Sequence, residues 1–262
     1  MGKIENLILQ HSGRGMDLLR PYLSDRFCSE TAEAILKWDR GTVLLTTGFS
    51  VAGRAETDGP PGTVLLAMAL QNCGFAPVIV TDALCKGYFE RFDFPVRYLC
   101  VGENESALRQ FLAELAPVGM ISVERCGENV QGDYANMHGI SIAEKTAPID
   151  RLFSMDGCPT VGIGDGGNEI GMGNLASVIT EQLSLVPCKI CVDHLIIATV
   201  SNWGALGLSA ALGWLPDEQL YLQVYETACE FGYVDGISKQ CICNEDGFSM
   251  ETGLTLLRAL QA

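Results

Sequence analysis

The sequence predicts an α/β fold: a doubly wound, mostly parallel sheet flanked by helices. Three observations lead there. Short apolar strands recur without polar alternation, each is followed by a loop rich in glycine or acid, and each loop leads into a helix-like segment. Strands that lack alternation are covered on both faces, which is the pattern of a parallel sheet between helical layers. At 262 residues and 48% hydrophobic, the chain is near the upper size for one core, and a compact fold of this length buries about three quarters of its unfolded surface. No repeat, low-complexity tract or polar linker divides it, so residues 1–262 are expected to form one domain.

The strand candidates, in chain order, are 42–46 (TVLLT), 77–81 (PVIVT), 96–100 (VRYLC), 118–123 (VGMISV), 160–163 (TVGI) and 195–200 (LIIATV). Between and after them, helix-like patterns cover 62–73, 104–115, 142–154, 175–183 and 202–212. In such sheets ligands collect at the carboxyl ends of the strands, and the unusual loops of this sequence all fall there.

Composition removes several classes of function. With 17 basic against 32 acidic residues and a formal charge of −15, the chain would repel a phosphate backbone and has no basic stripe to offset that repulsion. Nucleic acid is therefore not an expected partner. Apolar runs stop well short of the roughly 18 residues a membrane helix needs, and the opening MGKIENLILQ reads as neither a signal peptide nor an organelle address. No membrane association and a cytoplasmic location are expected, and self-association into a homo-oligomer is left open. The eleven cysteines are scattered and odd in number, which suits reduced thiols better than a disulfide framework. Cys188 and Cys191, spaced CxxC, and Cys241 and Cys243 are the pairs that could form a zinc site. The second pair is spaced CxC and neither has knuckle glycines, so apolar packing is the better account.

Four loops carry the chemistry. The first, TGFSVAGRAETDGPPG after the strand at 42–46, offers backbone N–H groups and a helix start to an anion, with Arg54 as a fixed charge and Thr57, Asp58 and Gly59 beside it. The second, ERCGENVQGDYANMHG, places Glu124 and Arg125 at a strand end and supplies Asn136. Its His138 is a lone imidazole, more often a solvated bystander than a catalyst. The third, GDGGNEIGMG at 164–173, spends five glycines in ten residues, a cost in chain entropy that suits close approach of backbone to a ligand. Gly166 and Gly167 fall in that run, while Asp165, Asn168 and Glu169 add hard oxygen donors suited to Mg²⁺ or Mn²⁺. It is neither a P-loop nor a dinucleotide fingerprint. In the fourth, VSNWGA at 200–205, Ser201 and Asn202 begin a helix where they can both cap it and face the site.

On ETDGPPG, ERCGENVQGDYANMHG, GDGGNEIGMG and VSNWGA, in that order, the chain resembles the D-glutamate cyclase family, in particular the C-terminal domain of its members and their stand-alone microbial relatives. The resemblance implies conversion of D-glutamate to 5-oxo-D-proline and water with the help of a divalent metal. Animal members carry a further N-terminal domain and a mitochondrial address, neither of which this resemblance covers. Combining the family reaction with the loops, Asp165 and Glu169 are the expected metal ligands with Asp58 as a third, and Glu124 is the expected base. Arg54 or Arg125 and the glycine-lined N–H groups would hold the substrate α-carboxylate. Two other classes fit the same loops: a Mg²⁺- or Mn²⁺-dependent hydrolase or phosphoryl-transfer enzyme acting on a small phosphorylated metabolite, and a non-catalytic sensor of acidic amino acids.

Overall fold

The computed structural model describes residues 2–155 and 157–262. Three helices come first, α1 (Lys3–Ile8), α2 (Met16–Leu19) and α3 (Phe27–Ile35), followed by strand β1 (Thr42–Thr46). A small hairpin of β2 (Ser50–Val51) and β3 (Arg54–Ala55) leads to α4 (Pro60–Asn72), whose two prolines occupy positions where a missing N–H costs nothing. Next come β4 (Ala76–Thr81), β5 (Val96–Tyr98), α5 (Glu105–Leu115), β6 (Gly119–Val123), β7 (Thr160–Gly164), α6 (Ala176–Gln182) and β8 (His194–Ile197). The chain closes with α7 (Ser201–Ala211), α8 (Glu218–Glu230), a hairpin of β9 (Asn244–Glu245) and β10 (Phe248–Ser249), and α9 (Met250–Gln261).

Six strands form one sheet in the order β5-β4-β1-β6-β7-β8, and every neighbouring pair is parallel. The expected α/β class is therefore observed. All five residues of β6 and of β7 are buried, as the unbroken apolar runs require of strands covered on both faces. From β1 the chain builds outward through β4 to the β5 edge, returns to the other side of β1 as β6, and builds outward again to β8. The reversal between β1 and β6 is the topological switch point, where diverging loops leave a crevice at the carboxyl ends of the strands.

Helices α4 and α7 pack against each other beside this crevice, and α7 also meets α1, α3 and α9. At their contact Gly62 is required by space, because a Cβ there would sit 2.8 Å from the Asn202 Cα. The largest fully buried side chains are Trp203, Arg125, Tyr88, Tyr221 and Tyr225. No helix among the described residues is long and apolar enough to cross a membrane.

One predicted helix is corrected. Residues 142–154 form two 3₁₀ segments, Ala143–Lys145 and Ile149–Ser154, with Thr146 extended between them. Pro148 explains the break, since it lacks an N–H and disfavours helical geometry in the residue before it. The strands proposed at 96–100 and 195–200 stop at Tyr98 and Ile197. Helices α1, α2, α3, α8 and α9 lie outside the helix patterns the sequence predicts.

Candidate active site

Loops from the ends of β1, β6 and β7 converge with the β9–β10 hairpin on a cavity of about 780 Å³, lined among others by Arg14, Glu56, Glu124, Glu169 and Asp246. The loop after β1 reaches it at Glu56 and runs on through Thr57 and Asp58 behind its wall. Gly59 then adopts φ +95°, and a Cβ there would approach the Thr47 Oγ1 to 2.5 Å and the Glu124 Cβ to 2.8 Å. A side chain at this position would fail on both conformation and space.

Asp58 is held by backbone. Its Oδ1 accepts from the N–H groups of Gly59 (2.9 Å) and Asn202 (2.7 Å), and its Oδ2 accepts from the Ser201 N–H (2.9 Å). It thus caps the start of α7 from another element, with its charge at the positive end of the helix dipole. Asn202 returns the contact, accepting from the N–H groups of Gly59 and Gly62 and donating to the Thr57 carbonyl. Thr57 itself donates to the Asn244 carbonyl. Thr57, Gly59 and Asn202 therefore form the frame behind Asp58.

Glu124 follows β6 in the left-handed region, at φ +44°, a conformation that side-chain-bearing residues adopt rarely and at some cost. Its Oε2 accepts a 2.6 Å hydrogen bond from the Ser201 hydroxyl. After β7, Asp165 and the glycines allow the chain to double back so that Gly167 donates its N–H to the Glu169 Oε2 (2.8 Å). A Cβ on Gly166 would lie 2.7 Å from the Glu169 Oε1, so the glycine run gives the Glu169 carboxylate its space. Asn168 lines the cavity while its amide donates to the Ala135 carbonyl. Asn136 also lines it, with its Oδ1 engaged by the N–H groups of His138 and Ile140.

Two sequence candidates lie elsewhere. Arg125 is fully buried and donates to the Gly48 and Ala147 carbonyls and to Asp82 (2.7 Å). It ties loops together beneath the site and is not among the residues lining the cavity. Arg54 is exposed on β3 and does not line the cavity either. Of the arginine and lysine residues that line it, Arg14, Lys145 and Lys239, the one at the carboxylates is Arg14, from the segment between α1 and α2, paired with Asp165 (3.1 Å) and in contact with Asp246. Sequence reasoning also missed Glu56 and Asp246. For Asp246 a signal existed: Asp-Gly at 246–247 forms the two-residue turn between β9 and β10, with both residues at positive φ (+51° and +84°). The cysteine pairs do not converge, for Cys243 meets Cys229 while Cys188 packs under Gly127.

The carboxylates form two overlapping triads. Glu124, Asp165 and Glu169 each offer an oxygen within 4.8 Å of the others, and so do Asp58, Asp165 and Asp246. Burial and mutual repulsion disfavour the charged forms. Burial and then Asp165 push Asp58 up to about 8, against the pull of its backbone hydrogen bonds. Burial raises Asp165 to about 6, with Arg14 opposing and Glu169 adding to the rise. Glu124 is pushed well above the usual carboxylate range by burial, Asp165 and Glu169, and Glu56 by burial and Asp58. The Asp165 Oδ2, the Glu169 Oε1 and both Asp246 oxygens are buried without a hydrogen bond, and Arg14 lies against the Asp165 Oδ2 and the Asp246 Oδ2 alone of these. Buried anionic oxygens without donors are expensive, and a hard cation is the ligand that such a set of oxygens fits.

Fold and site together define a doubly wound α/β protein with an acidic centre at the switch point of its sheet. Residues 4–261 match the family described as D-glutamate cyclase-like, C-terminal, and the chain belongs to that family. It is 31% identical over 201 residues to the human protein named D-glutamate cyclase, mitochondrial, an alignment that covers 65% of this chain and 32% of the relative. The chain thus spans about a third of the length of that curated relative.

Proposed function

We propose that this protein is a lyase that closes D-glutamate into 5-oxo-D-proline with loss of water, assisted by Mg²⁺ or Mn²⁺. The observation that carries the reading is the Glu124–Asp165–Glu169 triad, in which the Glu169 Oε1 is buried without a hydrogen-bond donor and Glu124 and Glu169 line a cavity sized for a small molecule. Family membership and the name of the human relative point the same way.

Ring closure needs a neutral α-amine to attack a γ-carboxylate, a poor electrophile with a poor leaving oxygen. Asp165 and Glu169 would hold the ion, with water and substrate completing its shell, as is usual for Mg²⁺. When bound, it supplies a Lewis acid that polarises the γ-carboxylate and carries the negative charge that develops on its oxygen. Glu124 lines the cavity and its proton affinity is raised by burial, so it takes a proton from the substrate ammonium. The amine then forms the C–N bond. As a γ C–O bond breaks, the proton held by Glu124 and a second amine proton leave with that oxygen as water. Ser201 holds the Glu124 carboxylate in place through its 2.6 Å hydrogen bond. Asp58, held by three backbone N–H groups, has a fixed place beside Asp165. Arg14 provides the positive charge that an anionic substrate meets inside an acidic protein.

The test is to incubate the purified, Mn²⁺-loaded chain with D- and L-glutamate and measure 5-oxoproline. Formation from the D-isomer well above the spontaneous rate is expected. No product above that rate from D-glutamate would remove the substrate assignment.

A further inference from the structure

The two triads share Asp165 but differ in what faces them. On the Asp58–Asp165–Asp246 side stands a guanidinium: Arg14 donates to the Asp165 Oδ1 (3.2 Å), lies 3.1 Å from its Oδ2 and contacts the Asp246 Oδ2. On the Glu124–Asp165–Glu169 side, Arg14 attracts Glu124 and Glu169 only from a distance, no ion pair among the described residues reaches either carboxylate, and the Glu169 Oε1 is buried without a partner. Asp246 is no loose surface acid. Its turn follows Glu245, whose carboxylate is fixed in the core by the Trp203 indole N–H (3.0 Å), the Tyr221 hydroxyl (2.7 Å) and the Tyr225 hydroxyl. The turn is pinned from its other end by the Gly247 N–H donating to Asp235. The Asp246 side chain is thereby delivered to the site with both oxygens buried, the Oδ2 against Arg14 and the Oδ1 without a hydrogen-bond donor.

We infer that Arg14 is the resident cation of a two-position site: it fills the Asp58–Asp165–Asp246 position, so that the protein takes one divalent ion, at the Glu124–Asp165–Glu169 position. Removing Arg14 exposes a second divalent-ion position that shares Asp165 with the first. The inference rests on the metal-assisted reading proposed above. Its chemical sense lies in what paired ions do. Two ions about 3.5–4 Å apart clamp the attacking and leaving oxygens of a displacement and generate a metal-held hydroxide, which suits hydrolysis. A guanidinium in the second position supplies charge and directional N–H groups but cannot activate water, because arginine stays protonated and offers no coordination site. A site meant to expel water gains from that exchange.

The experiment is Mn²⁺ stoichiometry by calorimetry, with electron paramagnetic resonance to detect magnetically coupled ion pairs, on the full chain and four variants. The parent is expected to bind one Mn²⁺ and Arg14→Met two, with a coupled spectrum. Arg14→Lys, which keeps the charge, and Arg14→Met/Asp246→Asn, which lacks the second ligand set, should each bind one. Asp246→Asn alone should keep one ion with affinity within a few-fold of the parent, and this variant decides the matter if Arg14→Met fails to fold. Two ions in the parent, one in a folded Arg14→Met, or loss of the ion in Asp246→Asn would overturn the inference while leaving the metal-assisted reading intact. No ion in the parent but one in Arg14→Met that disappears with Asp246→Asn would uphold the role of Arg14 and overturn the metal-assisted reading. No ion in any folded variant would overturn both.

Discussion

Replacing Asp165 by Asn should make the metal-free protein more stable and the metal-bound site much weaker. In the folded protein Asp165 titrates at about 6 instead of its ordinary 3.8, because burial and Glu169 outweigh the attraction of Arg14. A carboxyl whose folded pKa is raised binds more protons folded than unfolded, so stability falls as pH rises from 3.8 through about 6 and the full penalty applies above that. At about 1.4 kcal/mol per unit, the penalty is on the order of 3 kcal/mol at pH 8. Asn keeps the shape and removes the charge, while Arg14 retains Asp246 as a partner. In a chain of this size, 1 kcal/mol moves the midpoint by about 2–4 °C, so the metal-free variant should melt roughly 6–12 °C above the parent at pH 8. The gap should close as pH approaches 4. Mn²⁺ affinity, in contrast, should fall by more than the roughly 10–100-fold that loss of an outer-shell partner costs. Scanning calorimetry at pH 8 and pH 4.5 and Mn²⁺ titration test both halves. A variant that melts below the parent at pH 8, or one that binds Mn²⁺ as tightly, would refute the reasoning.

Ser201→Ala removes the hydroxyl that stabilises the ionised form of Glu124. A hydrogen bond to a charged group is worth about 1.5–3 kcal/mol, so the acid limb of kcat/KM should move up by about one to two pH units, with rates converging at high pH. A fall in rate that is uniform with pH would mean that Glu124 is not the group that must be ionised. Arg125→Ala strips a buried guanidinium from Asp82 and two carbonyls and should destabilise by about 3–5 kcal/mol in chemical denaturation. Mn²⁺ affinity of the folded fraction should stay within a few-fold, and the opposite pattern would place Arg125 in the site. Cys126→Ser should leave turnover within a few-fold, since this thiol packs beside Phe49 and Tyr134 and donates weakly to the Ala135 carbonyl. A loss of about a thousandfold, the scale of a direct catalytic group, would contradict that. Arg54→Ala should leave KM for D-glutamate unchanged within about twofold, because Arg54 is exposed and outside the cavity lining. A KM raised tenfold would restore it as the carboxylate anchor.

The sheet was legible because a strand buried on both faces must be a continuous apolar run, and β1, β4, β6 and β7 are such runs. Strand-end acids were legible for the same reason, since the loops after those runs gather at one edge of the sheet. What the sequence could not decide was which of two neighbours faces the cavity. Glu124 and Arg125 are adjacent at one strand end, and successive side chains near a strand end diverge. Only the positive φ of Glu124 and the reach of Arg125 to Asp82 resolve the pair. Arg14 carries no local signal at all, because it acts on Asp165 from 151 positions away. Helices α8 and α9 follow no strand of the sheet, so a reading guided by strand–loop–helix alternation passes over them, and with them the hairpin that delivers Asp246.

The cluster is costly: buried like charges, a left-handed Glu124 at φ +44° and a left-handed Asp246 at φ +51° all oppose folding. Such a site persists only if the surrounding structure leaves it no alternative. The Asp58–Asn202–Gly59 network meets that demand by joining the first turns of α4 and α7, the two helices packed most closely beside the switch point. Their separation is set by Gly62 against Asn202, where no added Cβ fits without movement. Asp58 is therefore positioned by the start of α7, and so by helix packing in the apolar core, as well as by the Gly59 N–H of its own loop. Because Ser201, the first residue of α7, also holds Glu124, one helix start fixes an acid from each triad. Any shift of α7 along α4 would be felt by both triads together, which makes the hydrophobic contact between two helices a determinant of how closely the carboxylates approach.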